Sequence, residues 1–296
     1  MKRAEYETTA DYRRALQVMR EFVGEVLGGE IDQMRRFCFG DLTNAKFIGD
    51  IKDPDMYLVV QGVYIILCGD VYDLTFDNMG SWDEAGTYAF RGDTMNSFTS
   101  YFGGKEIEEA SFGYRAKFFG ADKKPELWRK IEEFHKIYHW LGNFIVIPNR
   151  GSARNGINGA RGMFFGMRDY FDWFLLAVAE YQDKVKSGAG GDDNLSSFEK
   201  LLKENGNYEP YFLEIGAWEN RFFLKHYFKD GRPGLLFKTP LERRVLKTAA
   251  PENRVGEGYY QDEEYMELLE DYLDKSKAVI EYRTNKMVDC LKEKLQ

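Results

Sequence analysis

Histidine is scarce in this chain, with three among 296 residues, so a reaction that relies on imidazole has few candidates. Cysteine is as rare: Cys38, Cys68 and Cys290 lie far apart, form no CxxC pair and are too few for a disulfide framework, which points to a reducing compartment. Nucleophile motifs such as GxSxG are missing, and no cysteine has a histidine near it in sequence. Seven prolines and no repeated or proline-rich stretch give no sign of a long linker or a repeat architecture. The opening MKRAEYETTADYRRA lacks the apolar run of a signal peptide, and the longest nearly apolar stretch, LVVQGVYIILC, is too short to span a bilayer. A cytoplasmic protein without membrane contact is expected. Positive charge is in deficit, 41 Lys and Arg against 49 Asp and Glu, so the net charge of −8 repels nucleic acid unless a local basic patch overrides it.

Large rings, by contrast, are plentiful. Aromatics make up 16% of the chain, enough for a ring-rich core or a binding surface. Thr9 to Leu27 places Tyr12, Leu16, Met19, Phe22, Val23 and Val26 at helical spacing, and Gly28 and Gly29 end it. From about 46 to 102 the pattern turns to β-branched and aromatic runs broken by Gly, Asp and Asn, which predicts short, antiparallel strands or a strand and helix mixture. Pro125 to Gly142 reads as a helix, FIVIP as a buried run, and Met163 to Lys184 as a long apolar helix. Two further helices are expected over Leu195 to Glu204 and Glu209 to Phe228, then an irregular stretch to Gly258. Glu263 to Leu295 reads as a charged final helix that packs on the body or on a second copy. The expectation is therefore a mainly helical α+β single domain over 1–260, with a helical core at about 125–228, and a C-terminal helix over 261–296.

The run IPNRGSARNGINGARGMFFGMRDYFDWFLL resembles the core segment of a bacterial domain-of-unknown-function family, aligned from Ile157, Asn158, Gly159, Ala160, Arg161 and Gly162 through Asp169, Phe171, Asp172 and Leu175. Weaker likeness extends to YFLEIGAWENRFFLKHYF and TYAFRGDTMNSF, and the chain departs at Tyr170, where the family pattern has Arg. The resemblance implies a shared fold and assigns no catalyst.

The segment Asn149 to Gly162 carries Arg150, Arg154 and Arg161 among glycines and asparagines without one acid. Gly and Asn permit left-handed backbone that turns successive N–H groups toward one point, and a helix start beyond adds partial positive charge, a composition suited to phosphate or carboxylate. Arg150, Arg154, Asn158, Arg161 and Arg168 are the candidate ligand contacts, for a phosphate-bearing small molecule or nucleic acid. The plainer reading is a loop whose asparagines satisfy its own backbone and whose arginines pair with acids elsewhere.

On a helix starting near Arg161, the residues Arg161, Arg168 and Asp172 share a face, with Asp169 one step aside. Asp169 or Asp172 could then serve as a general base, or Asp172 could pair with Arg168 to pin the loop. RFFLKH, Arg221 to His226, is similar to the Arg and His spacing of HEPN-type ribonucleases, which makes His226 a third catalytic candidate, although Phe222 stands where that family has a polar residue. Glu132, His135 and His139, at spacings of three and four, could face one metal ion, or could be boundary residues beside Trp128. The sequence leaves any cofactor unidentified. The competing class is a non-catalytic interaction protein that binds a partner, or a second copy as a homodimer, through aromatic surface and the final helix.

Overall fold

The computed structural model describes residues 2–50, 53–80, 90–97, 125–148, 157, 161, 167, 170–204, 215–241 and 263–296. Helix α1, Ala10–Glu25, starts where Thr9 accepts a hydrogen bond from the Tyr12 N–H, and buries Tyr12, Ala15, Met19 and Phe22. It packs on α2, Leu58–Tyr72. The two backbones approach at Gly62, where an added Cβ would lie 3.7 Å from the Ala15 carbonyl oxygen.

Helix α2 decides the run from Leu58, which its sequence leaves open between strand and helix. Apolar side chains lie all around it, because it is buried on nearly every side, so it shows no stripe by which a helix could be read. It stops at Asp73, in the left-handed region with φ 49°.

Strand β1, Phe90–Thr94, pairs antiparallel with β2, Phe144–Pro148, in the register Phe90 to Pro148 and Asp93 to Ile145. Between them in sequence lies α3, Pro125–Ile137, which buries Leu127, Trp128, Ile131 and Phe134. Beyond β2, helix α4 runs over Phe171–Lys186, with its start later than the expected Met163 among the described residues. Helices α5, Ser197–Glu204, and α6, Ile215–Arg221, pack on it, and a two-residue ladder joins β3, Phe228–Lys229, to β4, Arg232–Pro233.

The last helix, α7, spans Glu263–Leu295. Leu269, Tyr272, Leu273, Ser276, Val279, Ile280, Arg283, Thr284, Met287, Val288 and Leu291 are buried at steps of mostly three and four, and they pack on α3, on the turn Leu141–Asn143, on the segment Ile31–Arg36, on α2 and on α1. Thus α7 is a wall of the body. Its rim pairs, such as Lys292 with Asp32 at 2.6 Å and Lys277 with Glu133 at 3.0 Å, are exposed and contribute little beside that packing. The class is a mainly helical α+β domain with few, short antiparallel strands. Among the described residues no helix is long and apolar enough to cross a membrane.

Candidate functional site

The polar centre of the fold lies where β1 crosses the turn Pro54–Met56. Gly92 makes the crossing possible: its N–H donates to Met56 Sδ at 2.7 Å, and a Cβ there would sit 2.2 Å from the Asp55 carbonyl oxygen and 3.0 Å from the Tyr64 hydroxyl. Gly92→Ala therefore forces backbone against backbone. We expect a loss of about 1–3 kcal/mol, read as a lower urea midpoint at unchanged slope.

Alternation along the strand sends Arg91 and Asp93 to the other face from Gly92. Arg91 reaches Asp53 Oδ2 at 3.3 Å, and Asp93 pairs with Arg161. The Arg161 guanidinium is fully buried, donates also to the Met167 and Thr94 carbonyls at 3.2 and 3.3 Å, and lies 5.8 Å from the ring centres of Phe171 and Phe174. Arg161 is thus a pin that fastens the end of the Arg-rich segment to β1.

Asp55 lies beneath this pair of ion pairs. Its side chain is 4% exposed, and burial, followed by the charges of Asp53 and Asp93, raises its carboxyl well above the usual range. Oδ1 of Asp55 has no hydrogen-bond partner. Behind β1, Asn143 accepts from the Asn96 N–H at 3.1 Å and donates to the Asn96 carbonyl at 2.9 Å, while the Tyr227 hydroxyl donates to Asn96 Oδ1 at 3.1 Å. These bonds fix the strand's end.

Asp53, Asp55, Arg91 and Asp93 escaped the sequence reading. The one signal was DPD followed, some forty residues on, by RGD, and nothing local says that two such tripeptides meet.

The other candidates separate. Asp172 is fully buried, and its carboxylate accepts the N–H groups of Trp173 at 2.7 Å, Leu236 at 2.7 Å and Phe237 at 3.1 Å. That is the work of a backbone clamp, not of a general base. RFFLKH does not form one helix, since α6 ends at Arg221 and Phe223 takes φ 56° before a short turn at Lys225–Tyr227. Arg221 pairs with Asp70, whereas exposed His226 lies edge-on to Tyr282 at 5.0 Å, its pKa lowered by partial burial and by Lys225. The ribonuclease spacing is therefore not realised.

His139 lies past the end of α3, its ring against Gly40 and between Tyr138 and Phe144, and Glu132 accepts the Trp128 indole N–H at 2.8 Å. Among the described residues no three His, Cys, Asp or Glu side chains are placed to hold a metal ion, which removes the Glu132, His135 and His139 set as a metal centre. The cysteines are free, and Cys68 is buried, donates to the Tyr64 carbonyl and has its thiol pushed up to about 12 by that burial. Arg150, Arg154, Asn158, Arg168 and Asp169 lie outside the described residues.

No family profile, no curated protein and no solved structure matches this chain.

Proposed function

We propose that the protein recognises a phosphate-bearing ligand, a nucleotide or nucleic acid, beside β1, with Arg150, Arg154 and Asn158 as anion contacts. The observation that supports this most is the tethering of both flanks of the Arg-rich segment to one five-residue strand: Pro148 pairs with Phe90, and Arg161 is held by Asp93. Those anchor points are three residues apart along β1, about 10 Å at a strand's rise per residue. Charge decides which residues bind. Arg91 and Arg161 are already balanced by Asp53 and Asp93, so the reading puts the phosphate on Arg150 and Arg154.

This is a binding protein in our reading: among the described candidates, Asp172 is taken up by three backbone N–H groups and His226 lies against Tyr282. Free cysteines fit a cytoplasmic setting. The interaction-protein alternative gains no support from the described residues: the large apolar side chains exposed among them are Leu235 and Leu241, and the apolar residues of α7 that would serve a homodimer face the body. Calorimetric titration with pyrophosphate tests the reading. The Arg150→Ala, Arg154→Ala double variant should weaken binding at least about tenfold, since each charge-assisted bond is worth roughly 1.5–3 kcal/mol. An unchanged Kd in the double variant, with its thermal midpoint intact, overturns it.

A further inference from the structure

The acidic half of the site has no role in holding phosphate, and its chemistry defines a second ligand group. Asp53 and Asp93 each have a cationic partner, Arg91 and Arg161, and the second oxygen of Asp93 takes the Thr94 N–H at 2.9 Å. Asp55 differs. It is more than nine-tenths buried, lies close enough to Asp53 for the two charges to interact, and leaves Oδ1 without a partner. A buried oxygen in that state costs free energy until a donor reaches it. Phosphate is disfavoured as that donor, because its ionised oxygens are acceptors that would face Asp53 and Asp93, even where one oxygen keeps its proton. The group that completes Asp55 must bring O–H or N–H.

The ion pair next to Asp55 is weak. Arg91 and Asp53 meet at 3.3 Å with side chains 31% and 46% exposed, a surface ion pair of the kind that contributes little and parts readily. A hydroxyl-bearing group can displace that contact, donate to Asp55 Oδ1 and to Asp53, and leave Arg91 free to turn toward the ligand's anionic end.

We infer that the Asp53, Asp55 and Asp93 cluster takes the sugar half of the phosphate ligand, a ribose or similar vicinal diol, with Asp55 Oδ1 accepting a ligand hydroxyl. The inference rests on the phosphate reading above and names its substrate class: a sugar phosphate or a nucleotide bound through its sugar. Asp55 is a binding residue here, and no bond is made or broken.

The test compares ribose 5-phosphate with inorganic phosphate on the full chain by titration calorimetry, and takes the ratio of their Kd values within each variant. That ratio cancels any general loss of folded protein. Wild type should bind ribose 5-phosphate at least about tenfold tighter than inorganic phosphate, one to two added hydrogen bonds' worth. Asp55→Asn keeps a carbonyl oxygen at Oδ1 and an N–H toward Asp53, so it should keep the preference. Asp55→Leu removes the acceptor and should bring the ratio to about one, while Asp53→Ala, at an exposed position, should lower it without unfolding the protein. Equal Kd values in wild type, or a ratio untouched by Asp55→Leu and Asp53→Ala alike, overturn the inference and leave phosphate recognition standing. Failure of both compounds to bind overturns the phosphate reading and this inference with it.

Discussion

Arg283→Met will lower the unfolding free energy by about 3 kcal/mol and the thermal midpoint by roughly 6 °C or more. Arg283 is 2% exposed, and its guanidinium donates to the carbonyls of Phe222 at 2.9 Å, Phe144 at 3.0 Å and Gly142. It therefore ties α7 to the end of α6 and to the start of β2 at one point. Burial without a carboxylate partner brings its pKa down to about 10, so the side chain is still charged at neutral pH and its charge is satisfied by carbonyl dipoles. Methionine fills the place of the stem and leaves those carbonyls short of a donor, at roughly 1–3 kcal/mol each before relaxation. Arg283→Lys should recover only part of the loss, because an ammonium lacks the planar fork that reaches three oxygens. Chemical denaturation of the three proteins at neutral pH measures this; equal midpoints would mean that water or relaxation satisfies the carbonyls.

The second large effect is a loss of stability in mild acid that belongs to His139. Burial lowers its pKa from 6.5 to about 4, with His135 acting in the same direction and Asp53 and Asp41 against it. The imidazole is neutral in the folded protein, whereas the unfolded chain takes up a proton as the pH falls below 6.5, so stability falls from there and the His139 contribution levels off near pH 4. The full effect is roughly 3 kcal/mol at 1.36 kcal/mol per unit. Asp55 works with the opposite sign, since its raised carboxyl penalises the folded state above the ordinary carboxyl range and that penalty fades in acid. Comparing His139→Gln with wild type isolates the histidine: the variant should be less sensitive to pH between 6.5 and 4, and parallel curves would show that His139 protonates as freely in the folded state as in the unfolded one.

What could be read in advance follows from where the information is stored. Helix α7 was legible end to end because its apolar positions recur along a charged sequence, and α1 because Thr9 caps an amphipathic stripe. The run at Leu58 was not, since a helix buried all round has lost the polar face that marks its period. The Arg-rich segment stood out by composition, but the burial of Arg161 is a property of Asp93, Phe171 and Phe174 around it. Asp53, Asp55, Arg91 and Asp93 are ordinary surface-type residues in sequence. They become a site only when Gly92 lets the strand lie on the turn, and no local pattern records that contact.

The placement of α7 has a consequence for how the chain acquires its shape during synthesis. Arg35 donates to Asn285 and Asp289 and Lys294 pairs with Glu7, so the earliest segments complete their packing against residues made some 250 positions or more later. Contacts of such sequence separation form late, because closing a long loop precedes any gain from it. While the ribosome is still translating the middle of the message, the growing polypeptide displays the apolar flanks of α1 and α2 to its surroundings. Such a nascent chain is a natural client for a holdase, and its yield in a cell should depend on chaperone supply more than its final stability would suggest.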